Sequence, residues 1–320
     1  MLDFYDRQGK KIPFKRIVIP VGVLFMPSLV NKAVFEMAKR SAFSRRRENL
    51  YNSFLGKVNY TVHGEGKPVL LVHDTFKGGG SWEWDKNIDF LAENYKVYAL
   101  DLPGYGLSQK PWTVYTAYDY TRLIKDFCRD VIKEKAYGIA SGNSAAFLIQ
   151  AAFLNKDIFE KLIVISPTGV SEKGIMNEKR RRLFSSSVVG TSMYTMAVSK
   201  DSLRDFLETE VFFNKKNVTR EVVGTCHFYA HAEGERGKHA YASHVSGYFK
   251  TGILNSFRQL QIPVLTVWGE RNRFNPVKNM NILEALCPER MFAVFEETRM
   301  LPHYENAHGF NRIAEEFLEE

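Results

Sequence analysis

Cysteine is scarce. Cys128, Cys226 and Cys287 are the only three, far apart, odd in number and without a C-x-x-C pair. That argues against a disulfide framework or a zinc knuckle. Long apolar runs are missing as well. The uncharged stretch Ile17–Val30 holds 14 residues and is interrupted by Pro20 and Pro27, short of the roughly 20 a spanning helix needs. It lacks a small-x-small cleavage site, and a second basic cluster, Arg45–Arg47, follows it, which argues against a signal peptide. There is no internal repeat and no low-complexity tract. Gly78-Gly79-Gly80 lacks the Gly-Lys-Ser/Thr ending of a phosphate loop and reads instead as room for a turn before Trp82 and Trp84.

What is present is ordinary globular material: 320 residues, 45% hydrophobic and 25% charged. Such a chain buries a large core, as one α/β domain with an insertion or as two domains. The net charge of +8 is concentrated. Residues 1–50 hold eleven Lys/Arg against four acids, a surplus of seven, and leave the remaining 270 residues near neutral. From Ser28, an N-cap candidate, Val30, Ala33, Val34, Met37 and Ala38 share one helical face, with Lys32, Glu36, Lys39 and Arg40 on another. Two readings stay open for this arm: an extension packed on the body or a partner, and an interfacial contact with anionic lipid. No basic stripe with interleaved aromatics appears elsewhere, so nucleic acid is not an expected partner.

Beyond residue 55 short apolar runs alternate with helical stretches. Val69–His73, Lys96–Leu100, Tyr137–Ala140, Leu162–Ile165, Val264–Trp268 and Phe292–Phe295 read as buried strands, with helices near 84–94, 118–133 and 144–155. This alternation predicts a mostly parallel sheet covered on both faces. Residues 171–258 break it, and read as a mostly helical insertion. The expected organisation is an arm at 1–50, core at 51–170, a helical cap at 171–258 and core again at 259–320.

One segment carries chemistry. Ile139 to Phe147 ends a strand and opens a helix, and Gly142 and Ala146 flank Ser144 at the spacing of G-x-S-x-G. A nucleophile at such a sharp turn needs small neighbours. With it stand Pro68-Val-Leu-Leu-Val-His73-Asp74, Asp101-Leu-Pro-Gly104-Tyr-Gly106-Leu-Ser108, Val264 to Pro276 with Trp268-Gly269 and Asn272, and Leu301-Pro302-His303-Tyr304-Glu305 before Phe310 and a terminal helix. In these motifs, over about 55–320, the chain resembles the α/β-hydrolase fold superfamily. The resemblance implies an α/β fold with a central, mostly parallel sheet flanked by helices, and makes 171–258 the cap over a pocket.

Carried over position by position, the resemblance places Ser144 as nucleophile, Asn272 where the acid belongs and Met300 where the histidine belongs. The other acid location of the family is Ser166, and the expected Gly-His is Arg299-Met300. Asp74 replaces a glycine of the oxyanion loop, and the backbone N–H groups of Thr75 and Ala145 are expected to form the hole. Loss of the base alone typically removes about six orders of magnitude in turnover. Asn for Asp costs about 10⁴ through the wrong tautomer.

The expected function is therefore that of a capped apolar pocket, weak or inactive as a hydrolase, binding a small lipophilic or ester-like ligand. Two rivals remain: an active esterase or lipase-like enzyme using Ser144 with His303 as substitute base, oriented by Glu270 or Asp74, and a membrane- or partner-docked scaffold. Whether the chain is an enzyme stays open. His227 and His231 at i, i+4, with Glu233, Glu235, His239 and His244, lack the HExxH glutamate, so no metal and no cofactor is expected. Arg180–Arg182 reads as a solvated helix face. The expected location is cytoplasmic, with peripheral contact to an anionic membrane through residues 1–50.

Overall fold

The computed structural model describes residues 45–171 and 175–320. The apolar stretch Ile17–Val30 and the amphipathic segment from Ser28 lie outside the described residues. The sheet has eight strands in the order β1-β2-β4-β3-β5-β6-β7-β8. They are β1 Asn49–Ser53, β2 Gly56–His63, β3 Lys67–Val72, β4 Tyr95–Leu100, β5 Ala136–Ser141, β6 Phe159–Ile165, β7 Val264–Gly269 and β8 Met291–Phe295. β2 runs antiparallel to β1 and β4, and every other pairing is parallel.

The apolar runs form strands because both sheet faces are covered. In β3, Leu70 and Val72 pack with Tyr120, Leu123, Ile124 and Phe127 of the helix Ala117–Phe127. Val69 and Leu71, one residue out of phase, pack with Phe310, Ala314, Phe317 and Leu318 of the helix Ala307–Glu319. A period of two on the strand meets a helical period on each side. The helix Ala117–Phe127 starts at a reciprocal cap: the Thr116 hydroxyl accepts from Asp119 N at 3.2 Å, and Asp119 Oδ2 accepts from Thr116 N at 2.9 Å.

Parallel register brings the carboxyl ends of β3, β5, β6 and β7 side by side. Val72 faces Ala140, Ser141 faces Ile165, and Ile165 faces Val267. The loops that follow those ends hold Asp74, Gly142, Ser166 and Asn272, at the edge where open α/β sheets bind ligands. Between β6 and β7 the described residues form helices and no strand, including Glu178–Ser185, Val189–Ala197, Lys200–Phe206, Arg220–His231 and Lys238–Val245. Leu203, Val211, Phe212 and Val223 from this segment share an apolar cluster with Phe76 and Trp82 of the loop after β3.

Part of the basic arm is tied down. Arg45 pairs with Asp85, and Arg47 pairs with Glu233 while donating to Leu107 O at 2.7 Å. In the insertion, Arg181 and Arg182 both pair with Glu178, and Arg180 donates to Val245 O.

Candidate active site

The floor of the site is fixed by buried polar turns. Asp101, fully buried, accepts from Ser81 N at 2.7 Å, Leu107 N at 2.9 Å and Asn59 Nδ2 at 3.0 Å. A side chain at Gly106, whose φ is +47°, would run into the Asp101 carboxylate at 2.2 Å. This is the physical basis of the D-x-x-G-x-G-x-S segment. His73 accepts from Leu102 N at 3.0 Å through Nε2, and its Nδ1 lies 2.7 Å from Asp74 O. A carbonyl on one side and an N–H on the other require the neutral ring with its proton on Nδ1.

The turn from β5 into the helix Gly142–Leu154 falls at Gly142. It has φ +53°, the left-handed conformation that a side chain resists. That conformation marks the tip of the strand-to-helix elbow, and the small residues flanking it at the motif spacing are Ala140 and Ser144. The register is thus two residues earlier than the sequence reading placed it. Ser144 lies in the first turn of the helix, fully buried, and its hydroxyl donates to His73 O at 2.6 Å. Ser144 does not line the cavity, whereas Gly142 does. The sequence was ambiguous because small residues occupy 140, 142, 144 and 146 alike, so the spacing fits two registers. The end of β5 at Ser141 selects between them.

The two N–H groups that converge above this turn belong to Thr75 and Asn143. Asn143 stands where the sequence reading put Ala145, which is packed in the core. Neither N–H is open. Asp74 Oδ1 accepts from Thr75 N at 2.6 Å and from Asn143 N at 2.9 Å. The Asp74 carboxylate occupies space left by the missing side chain of Gly142: a Cβ built there would stand 2.0 Å from Asp74 Oδ2. Burial, reinforced by the nearby Glu83 charge and opposed by the two N–H groups, raises the Asp74 pKa to about 7.

Asn272 and Met300 both line the cavity. Asn272 Oδ1 accepts from Asn275 N at 3.0 Å, and Trp268 Nε1 donates to Asn275 O at 2.7 Å, so the loop after β7 is closed on itself. Met300 N donates to Val211 O at 3.1 Å, fastening the loop after β8 to the helical insertion. Ser166 sits at the end of β6 with φ +44°, and its buried hydroxyl has no partner among the described residues.

His303 does not reach Ser144's hydroxyl or the cavity. Fully buried, it stacks on Trp84 at 4.4 Å, with Nε2 3.2 Å from Glu83 Oε1 but not aligned for a hydrogen bond. Glu83 Oε2 accepts from Asp74 N at 3.0 Å, and its other oxygen accepts from the Ser141 hydroxyl. Sequence spacing gave no sign of this buried Glu83–Ser141–His303 group, whose members lie 58 or more residues apart. Glu270 pairs with Arg271 and does not orient His303. Glu305 instead pins the loop, accepting from Arg299 N, Phe213 N and Asn214 N at 2.7 to 3.0 Å.

The cavity has a volume of about 470 Å³, within the usual range for small-molecule sites. Its walls mix aromatic rings (Phe76, Tyr105, Tyr229 and Phe249 among them) with Asp74, Asn143 and Asn272. The rings of His227 and His231 pack tilted, with centroids 4.3 Å apart, and burial lowers the pKa of both, that of His227 to about 4. Among the described residues no three His, Cys, Asp or Glu side chains are arranged to hold a metal ion, and no helix is long and apolar enough to cross a membrane.

Residues 67–307 match the family described as alpha/beta hydrolase fold. A 2-hydroxy-6-oxo-6-(2'-aminophenyl)hexa-2,4-dienoic acid hydrolase of Metapseudomonas resinovorans is 24% identical, the match covering 78% of this chain and 82% of that protein. A pimeloyl-acyl-carrier-protein methyl ester esterase of Aliivibrio salmonicida is 23% identical, over 81% of this chain and 95% of its own. Among solved structures, a meta-cleavage product hydrolase from Pseudomonas fluorescens superposes with a TM-score of 0.70 at 18% identity, covering 85% of this chain and 98% of that one.

Proposed function

The chain belongs to the alpha/beta hydrolase fold family, and from that premise we propose that it keeps the family's pocket without triad hydrolysis and serves as a binding protein for a small, largely apolar ligand. The observation that carries this reading is the Asp74 carboxylate seated over Gly142, on the N–H groups of Thr75 and Asn143. A hole built to stabilise developing negative charge works only when its donors are open to the reacting oxygen. Here they already hold an oxygen of the protein's own. Gly142 offers no nucleophile, and Asn272 and Met300 offer neither a carboxylate nor a base.

The test is labelling with a fluorophosphonate probe, together with turnover of p-nitrophenyl acetate and butyrate, in wild type and Ser144→Ala. The expected result is background labelling and background rates in both. Labelling that disappears in Ser144→Ala would overturn the reading and restore Ser144 as a nucleophile.

For residues 1–44 we propose contact with an anionic membrane surface. The support is segregation of charge: the arm is basic, the body near neutral, and Arg45 and Arg47 are already spent on body acids.

A further inference from the structure

Asp74 is a buried carboxyl group without a counter-cation among the described residues. It lines the cavity and is 6% exposed, Oδ1 is held by two backbone N–H groups, and Oδ2 has no hydrogen-bond partner among the described residues. No described Lys, Arg or His lies within ion-pair distance of it, and the nearby charge that acts on it is that of another buried acid, Glu83. Burying a carboxylate is costly until a cation meets it. The walls around it are aromatic, including Phe76, Tyr105 and Tyr229, and ring faces attract organic cations.

The cavity also has a direction. Lys77 and Lys250 line it too. Lys77 Nζ donates to Ser202 O and Oγ at 3.1 and 2.9 Å, against the helical insertion, and Lys250 is exposed. The acid is therefore deep and the lysines stand nearer solvent. A ligand with one cationic end fits that gradient, and one with a cation at each end does not.

We propose that this pocket binds an organic ammonium ion with an apolar body, its cation held by Asp74 Oδ2 and its body by the aromatic walls. The inference deepens the reading of the cavity as a binding site and rests on it.

Isothermal titration of the full chain at pH 8 with phenethylamine and phenethyl alcohol separates charge from shape. Phenethylamine is expected to bind about tenfold tighter or better, since hydrogen bonds to charged groups are worth roughly twice neutral ones. Asp74→Asn keeps an oxygen for both N–H groups and removes only the charge. It should erase the amine's advantage over the alcohol. Hexylamine should likewise bind better than hexane diamine, and Lys77→Ala should narrow that gap. Equal binding of amine and alcohol, or an amine preference that survives in Asp74→Asn, would overturn the proposal, as would absence of binding by every probe. A protein that binds no amine yet stays unlabelled by fluorophosphonate disproves the ammonium ligand alone. Labelling by the phosphonate disproves the binding-protein reading beneath it.

Discussion

At the scale of single residues, Asp74 sets the electrostatics of the site, and its ionisation has a measurable effect on stability. In the unfolded chain its carboxyl ionises near 3.8, and in the folded protein near 7. Between those values the unfolded state sheds its proton first, so rising pH favours unfolding through this group. The penalty grows from about pH 4 to about pH 7 and then levels off. Asp74→Asn removes it. Chemical denaturation should show this variant more stable than wild type at pH 8, on the order of 2–4 kcal/mol, with the gain shrinking as the pH falls toward 4. A gain independent of pH would mean that Asp74 is not the titrating group. Asp74 was legible in the sequence as a carboxylate misplaced near the hole. That it fills the hole was not, because this depends on Gly142 lacking a Cβ, and three small neighbours hid which residue occupies the turn.

At the scale of elements, the site is assembled from loops that a parallel sheet brings to one edge, and those loops present Asp74, Gly142, Asn272 and Met300 to the cavity. The fold need not change for the chemistry to return. Asp74→Gly, Gly142→Ser, Asn272→Asp and Met300→His combined should open the hole and place nucleophile, acid and base on the loops after β5, β7 and β8. Turnover of p-nitrophenyl butyrate is expected to exceed wild type by about 10³ or more, falling back when Met300 is left in place. The informative control keeps Gly142 and makes the other three changes. If it hydrolyses equally well, Ser144 is the nucleophile and the turn has been read in the wrong register. The six core strands were legible because each is a short apolar run, buried on both faces in all but the edge strand β8. The β1–β2 hairpin was not: Asn49–Ser53 and Gly56–His63 lie at the sheet edge, where Asn, Lys and Thr alternate with Tyr and Val and no apolar run forms. The Glu83–Ser141–His303 group was invisible for a different reason, since it joins three elements distant in sequence.

At the scale of the whole molecule, the question is where the excess positive charge acts. Of the eleven basic residues in 1–50, Arg45 is bound to Asp85 and Arg47 to Glu233. Both are partly exposed pairs, worth little to stability, but they anchor the start of the described body and neutralise their own charge. By sequence, residues 1–44 hold eight Lys/Arg against three acids, and they combine Lys10, Lys11, Lys15 and Arg16 with the apolar stretch Ile17–Val30. If the arm meets a membrane as proposed, apolar burial and attraction to anionic lipid would add on one segment, and only the second would be screened by salt. Sedimentation with phosphatidylserine-containing vesicles should carry down the full chain and leave a form starting at Arg45 in the supernatant. Raising the salt from low to about 0.5 M should weaken binding without abolishing it, because the apolar contribution persists. Phosphatidylcholine vesicles should bind the full chain less than anionic ones at low salt. Equal sedimentation of both forms would move the contact to the body, and no sedimentation of either would leave the arm's charge without a membrane role.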